Sequence, residues 1–390
     1  MYRIGKEEIE AVTRVIESRE LFKVNKGNRE VEHFQEEMQE KFDVKHALLM
    51  TSGHAALVSA LVAMGVGPGD EVIVPAYTYI ATAMAVLQVG AIPVIGEIDE
   101  TLTLCPIDVE KKITKNTKVI LPVHIQGLPS NMDALCAIAR KHGIKVLEDS
   151  CQADGGSYKG RRLGTIGDAG AYSFNFYKIM SAGEGGALVT NDSLLHQRAL
   201  IYHDSSAVAF FGKQLDGTVP TFCGTEFRTN EITGAILREQ LKRVDGILGD
   251  LRRIKKTIMD ALKDDYKFTP SNDADGDCAT ALAFLFDTVD EAKAFEKSEG
   301  VWGVGGRPID AAKHVYNNWM PVMEKRGALN PLMDPFKMEA NKDIIPNYTH
   351  DMCKKSLDIL SRTVLIGLNP DMTNEEIDKM IANFKKAKQA

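Results

Sequence analysis

The sequence has no apolar run long enough to cross a membrane: stretches such as Ala83 to Val89 fall far short of the roughly 20 residues a spanning helix needs. It also has no basic tract. Its 47 lysines and arginines are dispersed among 54 acidic residues, for a net charge of −7, so nucleic acid is a poor candidate partner. Cysteine is sparse. Cys105, Cys136, Cys151, Cys223, Cys278 and Cys353 contain no CxxC pair, which leaves out the common zinc and dithiol motifs and points to reduced thiols. No His, Cys, Asp or Glu cluster has metal-ligand spacing, so no metal is expected. The opening residues MYRIGKEEIEAV lack an apolar leader core, and the expected location is the cytoplasm.

What is present is an ordinary globular composition over 390 residues, enough for a large and a small domain, each with its own core. Short apolar segments alternate with helix-period segments through the first half. Val31, Phe34, Met38 and Phe42 mark a helix over Arg29–Asp43. Strands are expected at Ala47–Met50, Glu71–Pro75, Ile92–Ile98, Lys118–Val123 and Lys145–Asp149. Helices are expected from Gly53 to about Met64, from Ala81 and from Met132. This rhythm predicts a parallel sheet covered on both faces. Shorter strands follow at Ala171–Asn175 and Ala187–Thr190, then a helical stretch over Glu231–Leu262 and a strand at Ala279–Phe286. Thr373 and Glu376 form a capping box for a last helix. The expected division is a large α/β domain over 1–245 and a smaller α+β domain over 246–390.

Nucleotide-loop motifs are missing in any usable context. The GxGxG at Gly65–Gly69 precedes a strand instead of following one, and no GxxxxGK with a following Ser or Thr exists, which disfavours a dinucleotide oxidoreductase or a P-loop enzyme. The informative residues lie elsewhere. Asp149 ends a buried parallel strand, where ligands bind in open α/β sheets, although strand ends often carry acidic turn residues. Lys178 follows an aromatic-rich strand and precedes the glycine-rich turn Gly183-Glu184-Gly185-Gly186, so a partly buried amine is expected against the usual exposed lysine. Ser52-Gly53-His54 opens a helix after a strand, where free N–H groups favour an anion.

The ordered set TSGHAAL, GDEVIVPAYTYIATA, LPVHIQG, LEDSCQA, GDAGAYSFNFYK and GEGG resembles the DegT/DnrJ/EryC1/StrS family of sugar aminotransferases. The resemblance runs over most of the chain and is strongest from residue 45 to 190. It implies a pyridoxal-phosphate enzyme of fold type I, with a three-layer large domain built on a mostly parallel mixed sheet. Lys178 then matches the lysine of SFxxxK, which forms the internal aldimine and relays protons. Asp149 matches the carboxylate that pairs with the pyridinium, and Gln152 the side chain near the phenolic oxygen. Tyr79 matches the ring-stacking aromatic. Ser52, Gly53, His54 and Ser173 match the phosphate side. Arg228, His314, Tyr316, Asn318 and Trp319 are implied for substrate or partner-subunit contacts, the last four as an aromatic and amide-rich run suited to a carbohydrate face.

Two departures stand out. His54 replaces a usual threonine, and Glu226 occupies the place of a common asparagine, where a carboxylate facing phosphate must be turned away, protonated or paired. The resemblance implies a homodimer with shared sites that moves an amino group from glutamate or glutamine to a carbonyl sugar, with no membrane partner. The acceptor classes left open are a nucleotide-linked sugar, a phosphorylated sugar, and an octulosonate or cyclitol type. The rivals are a dehydratase of the same fold, in which histidine replaces the lysine, and a non-catalytic regulatory or scaffold relative. Lysine at 178 argues against the first.

Overall fold

Seven strands make the main sheet, in the order β1-β9-β8-β5-β4-β2-β3. The computed structural model describes residues 3–23, 27–210, 215–301, 303 and 305–389. In chain order the elements are α1 (Lys6–Ser18), α2 (Glu30–Phe42), β1 (His46–Met50), α3 (Gly53–Ala63), β2 (Glu71–Pro75), α4 (Ala81–Gln88), β3 (Ile92–Gly96), α5 (Pro106–Lys112), β4 (Thr117–Ile120), α6 (Met132–His142) and β5 (Lys145–Asp149). A small ribbon, β6 (Ser157–Tyr158) and β7 (Arg161–Arg162), precedes β8 (Ala169–Ser173), β9 (Gly186–Thr190) and α7 (Ser193–His203).

Strands β3, β2, β4, β5 and β8 pair in parallel, while β9 runs antiparallel to both β8 and β1. The sheet is therefore mostly parallel and mixed, as expected. Both of its faces are dry: Leu48, Val74, Leu147 and Leu188 join one apolar cluster, and Leu49, Ile73, Val146 and Val189 the other. Helix α3 is apolar on nearly every side because sheet and helices α4 and α7 enclose it.

The second half begins with α8 (Glu231–Leu262), capped by Asn230, whose side chain accepts the Thr233 N–H at 3.1 Å. Then come β10 (Ala281–Leu285), α9 (Val289–Lys297), β11 (Gly305–Gly306), α10 (Met320–Met323), α11 (Lys354–Arg362), β12 (Thr363–Gly367) and α12 (Asn374–Gln389). Strands β10, β12 and β11 form an antiparallel sheet. The boundary expected after residue 245 falls inside α8. Its buried stripe, Leu237, Leu241, Val244, Leu248, Leu251 and Ile258, continues through Asp245-Gly246 without a break. One rigid helix thus packs on α1, α2 and α12 and serves both halves.

Candidate active site

The carboxyl ends of β1, β5 and β8 meet at one place. After β1 the chain turns at Ser52, whose hydroxyl accepts the Ala55 N–H at 3.0 Å and so caps α3. The preceding N–H groups, of Gly53 and His54, are the first two of the helix and have no carbonyl a turn earlier to bond. Gly53 lets this turn press against its neighbours: a Cβ there would lie 2.6 Å from Cys151 Sγ and 2.8 Å from Ser173 Cβ. Gly186 does the same from the other side, since a Cβ would come 2.2 Å from the Ser52 carbonyl carbon. The glycine-rich segments are therefore spacing devices that bring the α3 N-terminus onto the sheet.

Asp149, at the end of β5, is buried at 4% exposure. Its Oδ2 accepts from the Thr82 hydroxyl at 2.8 Å and its Oδ1 from the Cys151 N–H at 3.1 Å. Thr82 is in turn bonded to Thr78 at 2.7 Å. Gln152 is half-buried, and its Oε1 accepts the Gln126 N–H at 3.0 Å. Lys178 is half-buried on a loop stitched to the glycine turn by Phe174 N–H to Gly185 and Phe176 N–H to Gly183. Its charge acts on Cys151, Asp154 and His314, which come from two separate segments. Ser173 is buried at the end of β8, beside Gly53.

Tyr79 is 43% exposed, and a later segment lies over it. Thr78 N–H bonds the His314 carbonyl and Ile80 N–H the Lys313 carbonyl, both at 2.9 Å, while Tyr316 N–H returns to Ala76 at 3.0 Å. This puts the His314 ring 5.5 Å from the Tyr79 ring, with Lys313 Nζ 5.7 Å above the same ring. Burial, with help from Lys313 and Lys178, pushes His314 down to about 4, so its imidazole is neutral at pH 7.

Several expectations give way. Tyr316 and Trp319 have no exposure at all, so neither ring is free to stack on a carbohydrate. The Tyr316 hydroxyl donates to the His350 carbonyl and accepts the Cys353 N–H, and Trp319 Nε1 donates to the Lys313 carbonyl. Both are core residues that fasten the His314 segment; Asn318 is exposed between them. The His54 ring also points elsewhere: its nitrogens meet the Ala81 carbonyl and the Gln88 side chain on α4, at 3.3 and 2.7 Å. Its backbone N–H alone stays at the turn. Arg228 pairs with Asp204 and, at 2.8 Å, with Glu226, so Glu226 is resolved as paired. Arg228 nevertheless borders the turn, bridging Met50 while Thr51 N–H bonds Phe227.

His124, in the motif LPVHIQG, is a satisfied core residue. Its Nε2 meets Glu148 at 3.0 Å and its Nδ1 accepts the Ser130 N–H at 3.0 Å. Two residues escaped sequence reasoning. Thr82 sits on a helix 67 positions before the carboxylate it touches, with no local signal. Asp154 lies two residues past Gln152 in the polar, small-residue run Ser150-Cys151-Gln152-Ala153-Asp154-Gly155-Gly156, where nothing local marks it as buried.

Residues 2–316 match the model of the DegT/DnrJ/EryC1/StrS aminotransferase family. The chain is 34% identical over 390 residues to the spore coat polysaccharide biosynthesis protein SpsC of Bacillus subtilis (strain 168), covering 97% of this chain and 93% of that protein. It is 37% identical to a putative L-glutamine:3-amino-2,3-dideoxy-scyllo-inosose aminotransferase of Micromonospora echinospora, over 63% of this chain and 58% of that one. The crystal structure of 3-amino-5-hydroxybenzoic acid synthase superposes with a TM-score of 0.80 at 26% identity, over 99% of this chain and 97% of that chain.

Proposed function

The chain belongs to the DegT/DnrJ/EryC1/StrS aminotransferase family, and from that premise we propose that it moves an amino group from glutamate or glutamine to a keto or aldehyde carbon of a sugar or cyclitol. The cofactor in this reading is pyridoxal 5′-phosphate. When bound, it supplies an aldehyde that exchanges with amines and a protonated ring that accepts the electron pair released at the donor carbon.

The donor set fits such a group. The first N–H groups of α3, with the helix dipole behind them, suit the phosphate, and Ser173 adds a hydroxyl beside Gly53. Asp149 would face the ring nitrogen, its plane fixed by Thr82 and the Cys151 N–H. Tyr79 offers an exposed ring face as a platform. Lys178 would hold the cofactor and, once released, carry a proton at Nζ between substrate carbon and cofactor. His314, neutral and packed near Tyr79, would close the substrate side and exclude water.

The observation that carries this reading is the contact of three segments at Gly53, Cys151 and Ser173, beside Asp149. The names of the relatives, a polysaccharide biosynthesis protein and a putative glutamine-dependent cyclitol aminotransferase, support a polyhydroxylated acceptor and glutamine as donor. Exposed Phe176 and Tyr177, at 50% and 79%, immediately precede Lys178 and support a homodimer that shares its sites. Six unbridged cysteines support a cytoplasmic enzyme.

The test is a half-reaction. Purified, cofactor-loaded protein given glutamine or glutamate should lose the absorbance of the bound aldehyde and release one equivalent of oxo acid, and Lys178→Ala should do neither. Turnover retained in that variant would overturn the assignment of Lys178. A loaded protein inert to both donors would overturn the donor class.

A further inference from the structure

A cavity of about 390 Å³ opens between the second half of α8, the segment 268–279 and β10, and none of its lining residues belongs to the site described above. Its size falls within the range of small-molecule sites, about 300–1,000 Å³. Leu128, Met259, Phe268, Ala279 and Ala283 give it an apolar wall. Six charged side chains also line it, and four of them pair off: Lys255 with Asp277, and Lys256 with Asp260 at 2.6 Å. The two left over have opposite sign. Arg252 gives Nε and Nη2 to the carbonyls of Asp277 and Gly276, at 2.8 and 3.2 Å, and pairs with no carboxylate among the described residues. Asp275 is exposed and pairs with no cation among them. An apolar wall with one cation and one anion that are not bonded to each other fits a zwitterion with an apolar body.

The floor of this cavity is tied to the active site. Asp277, whose carbonyl Arg252 holds, accepts the Ala279 N–H at 2.7 Å on its side chain. The Cys278 N–H bonds the Gly127 carbonyl at 3.1 Å, and the Thr280 hydroxyl donates to the Gln126 carbonyl at 2.6 Å. Gln126 N–H in turn holds Gln152 at 3.0 Å. A Cβ on Gly127 would stand 2.5 Å from Cys278 Cβ, so the two turns are pressed together and shift as one. Gln126 and Ala279 are non-glycine residues at φ 53° and 59°, left-handed conformations that persist only where the surroundings impose them.

We propose that the cavity is a regulatory site for a free α-amino acid with an apolar side chain, its carboxylate on Arg252 and its ammonium toward Asp275. The incoming carboxylate competes with the Gly276 and Asp277 carbonyls for the guanidinium, loosens the 276–280 segment and, through Gln126, releases Gln152, which slows the enzyme. The binding site stands independently of the cofactor reading, and only its effect on rate rests on that reading.

The test is calorimetry on cofactor-loaded protein with L-phenylalanine, L-leucine and L-methionine, and with 3-phenylpropionate, which lacks the ammonium group. At least one of the amino acids should bind saturably. Ala274→Trp, which places an indole at an exposed position on the cavity, should abolish that binding and leave the glutamine half-reaction unchanged. Arg252→Met should weaken it about tenfold or more. Asp275→Asn should weaken the amino acid about threefold and leave 3-phenylpropionate unaffected. In wild type the bound amino acid should slow the glutamine half-reaction about fivefold, an effect absent from Ala274→Trp. No saturable binding by any of the three, or binding of equal strength in Ala274→Trp and Arg252→Met, would overturn the site, and binding without an effect on rate would overturn its regulatory role. Should Ala274→Trp fail to fold, exposed Asp275 decides: in Asp275→Asn, equal losses for amino acid and phenylpropionate, or none for either, would overturn the proposal. A failure of the cofactor reading shows separately, as protein inert to glutamine with this binding intact.

Discussion

Gly53→Ala is the sharpest perturbation of the site, because the added methyl has nowhere to go. Its carbon would stand 2.6 Å from Cys151 Sγ and 2.8 Å from Ser173 Cβ, with the Tyr172 carbonyl at 3.2 Å. Unstrained carbon contacts lie at about 3.5–4.0 Å, so two contacts are short by roughly 1 Å and neither neighbour is the loose end of a long side chain. Overpacking of this kind costs about 1–3 kcal/mol. The cost divides between two observables. If α3 keeps its place, unfolding of the cofactor-free protein by denaturant should become easier by about that amount. If α3 retreats from the sheet, its first N–H groups leave the phosphate and cofactor affinity should fall roughly 5- to 150-fold, the same energy expressed as binding. Titration of apoprotein with pyridoxal phosphate and a parallel denaturation curve measure both. A variant equal to wild type in both would refute the close approach of the three segments.

Thr82→Val keeps the volume of a buried side chain and removes the hydroxyl that Asp149 accepts at 2.8 Å. A hydrogen bond to a charged group is worth about 1.5–3 kcal/mol, so cofactor affinity or kcat/KM should fall by one to two orders of magnitude, read by titration and steady-state kinetics. Trp319→Ala should destabilise the fold by about 3–5 kcal/mol, with KM for the sugar acceptor unchanged in whatever protein remains folded; a raised KM at full stability would restore a sugar-stacking role. His196, stacked on His46, is held down to about 4 by burial, whereas in the unfolded chain it takes a proton near its ordinary value of 6.5. Between those values the unfolded chain binds more protons, so stability contributed here is lost as pH falls from 6.5 toward 4. His196→Gln should flatten that decline in denaturation curves at pH 7 and pH 5, and a parallel decline would count against the burial argument.

Local pattern was enough for the elements whose sides are dictated by burial. Strands β2 and β5 and helix α8 begin and end where composition places them, because continuous apolar runs and an unbroken 3.6-residue stripe leave no other packing. The Thr373 and Glu376 cap is likewise local: Glu376 accepts the Thr373 N–H at 2.8 Å and returns its own at 3.2 Å. Helix α7 was missed because its apolar residues follow no clear stripe, although Asp192 caps it. What sequence could not display is contact between distant segments. Tyr316 and Trp319 sit among asparagines and a lysine, which reads as a polar loop, yet the ladder from residues 313–316 to 76–80 carries them into the core. Thr82 matters by the same logic, since it touches a carboxylate 67 residues away. Local signatures were enough to place Asp149 at the end of β5, the Ser52 turn just after β1 and Lys178 on the loop after β8.

The central claim is that Lys178 is the amine that holds the cofactor. Protein loaded with pyridoxal phosphate, reduced with borohydride and digested, should yield one peptide carrying the reduced cofactor, and fragmentation should place the added mass on Lys178. The label on another lysine, such as buried Lys23, or spread over several, would contradict the account.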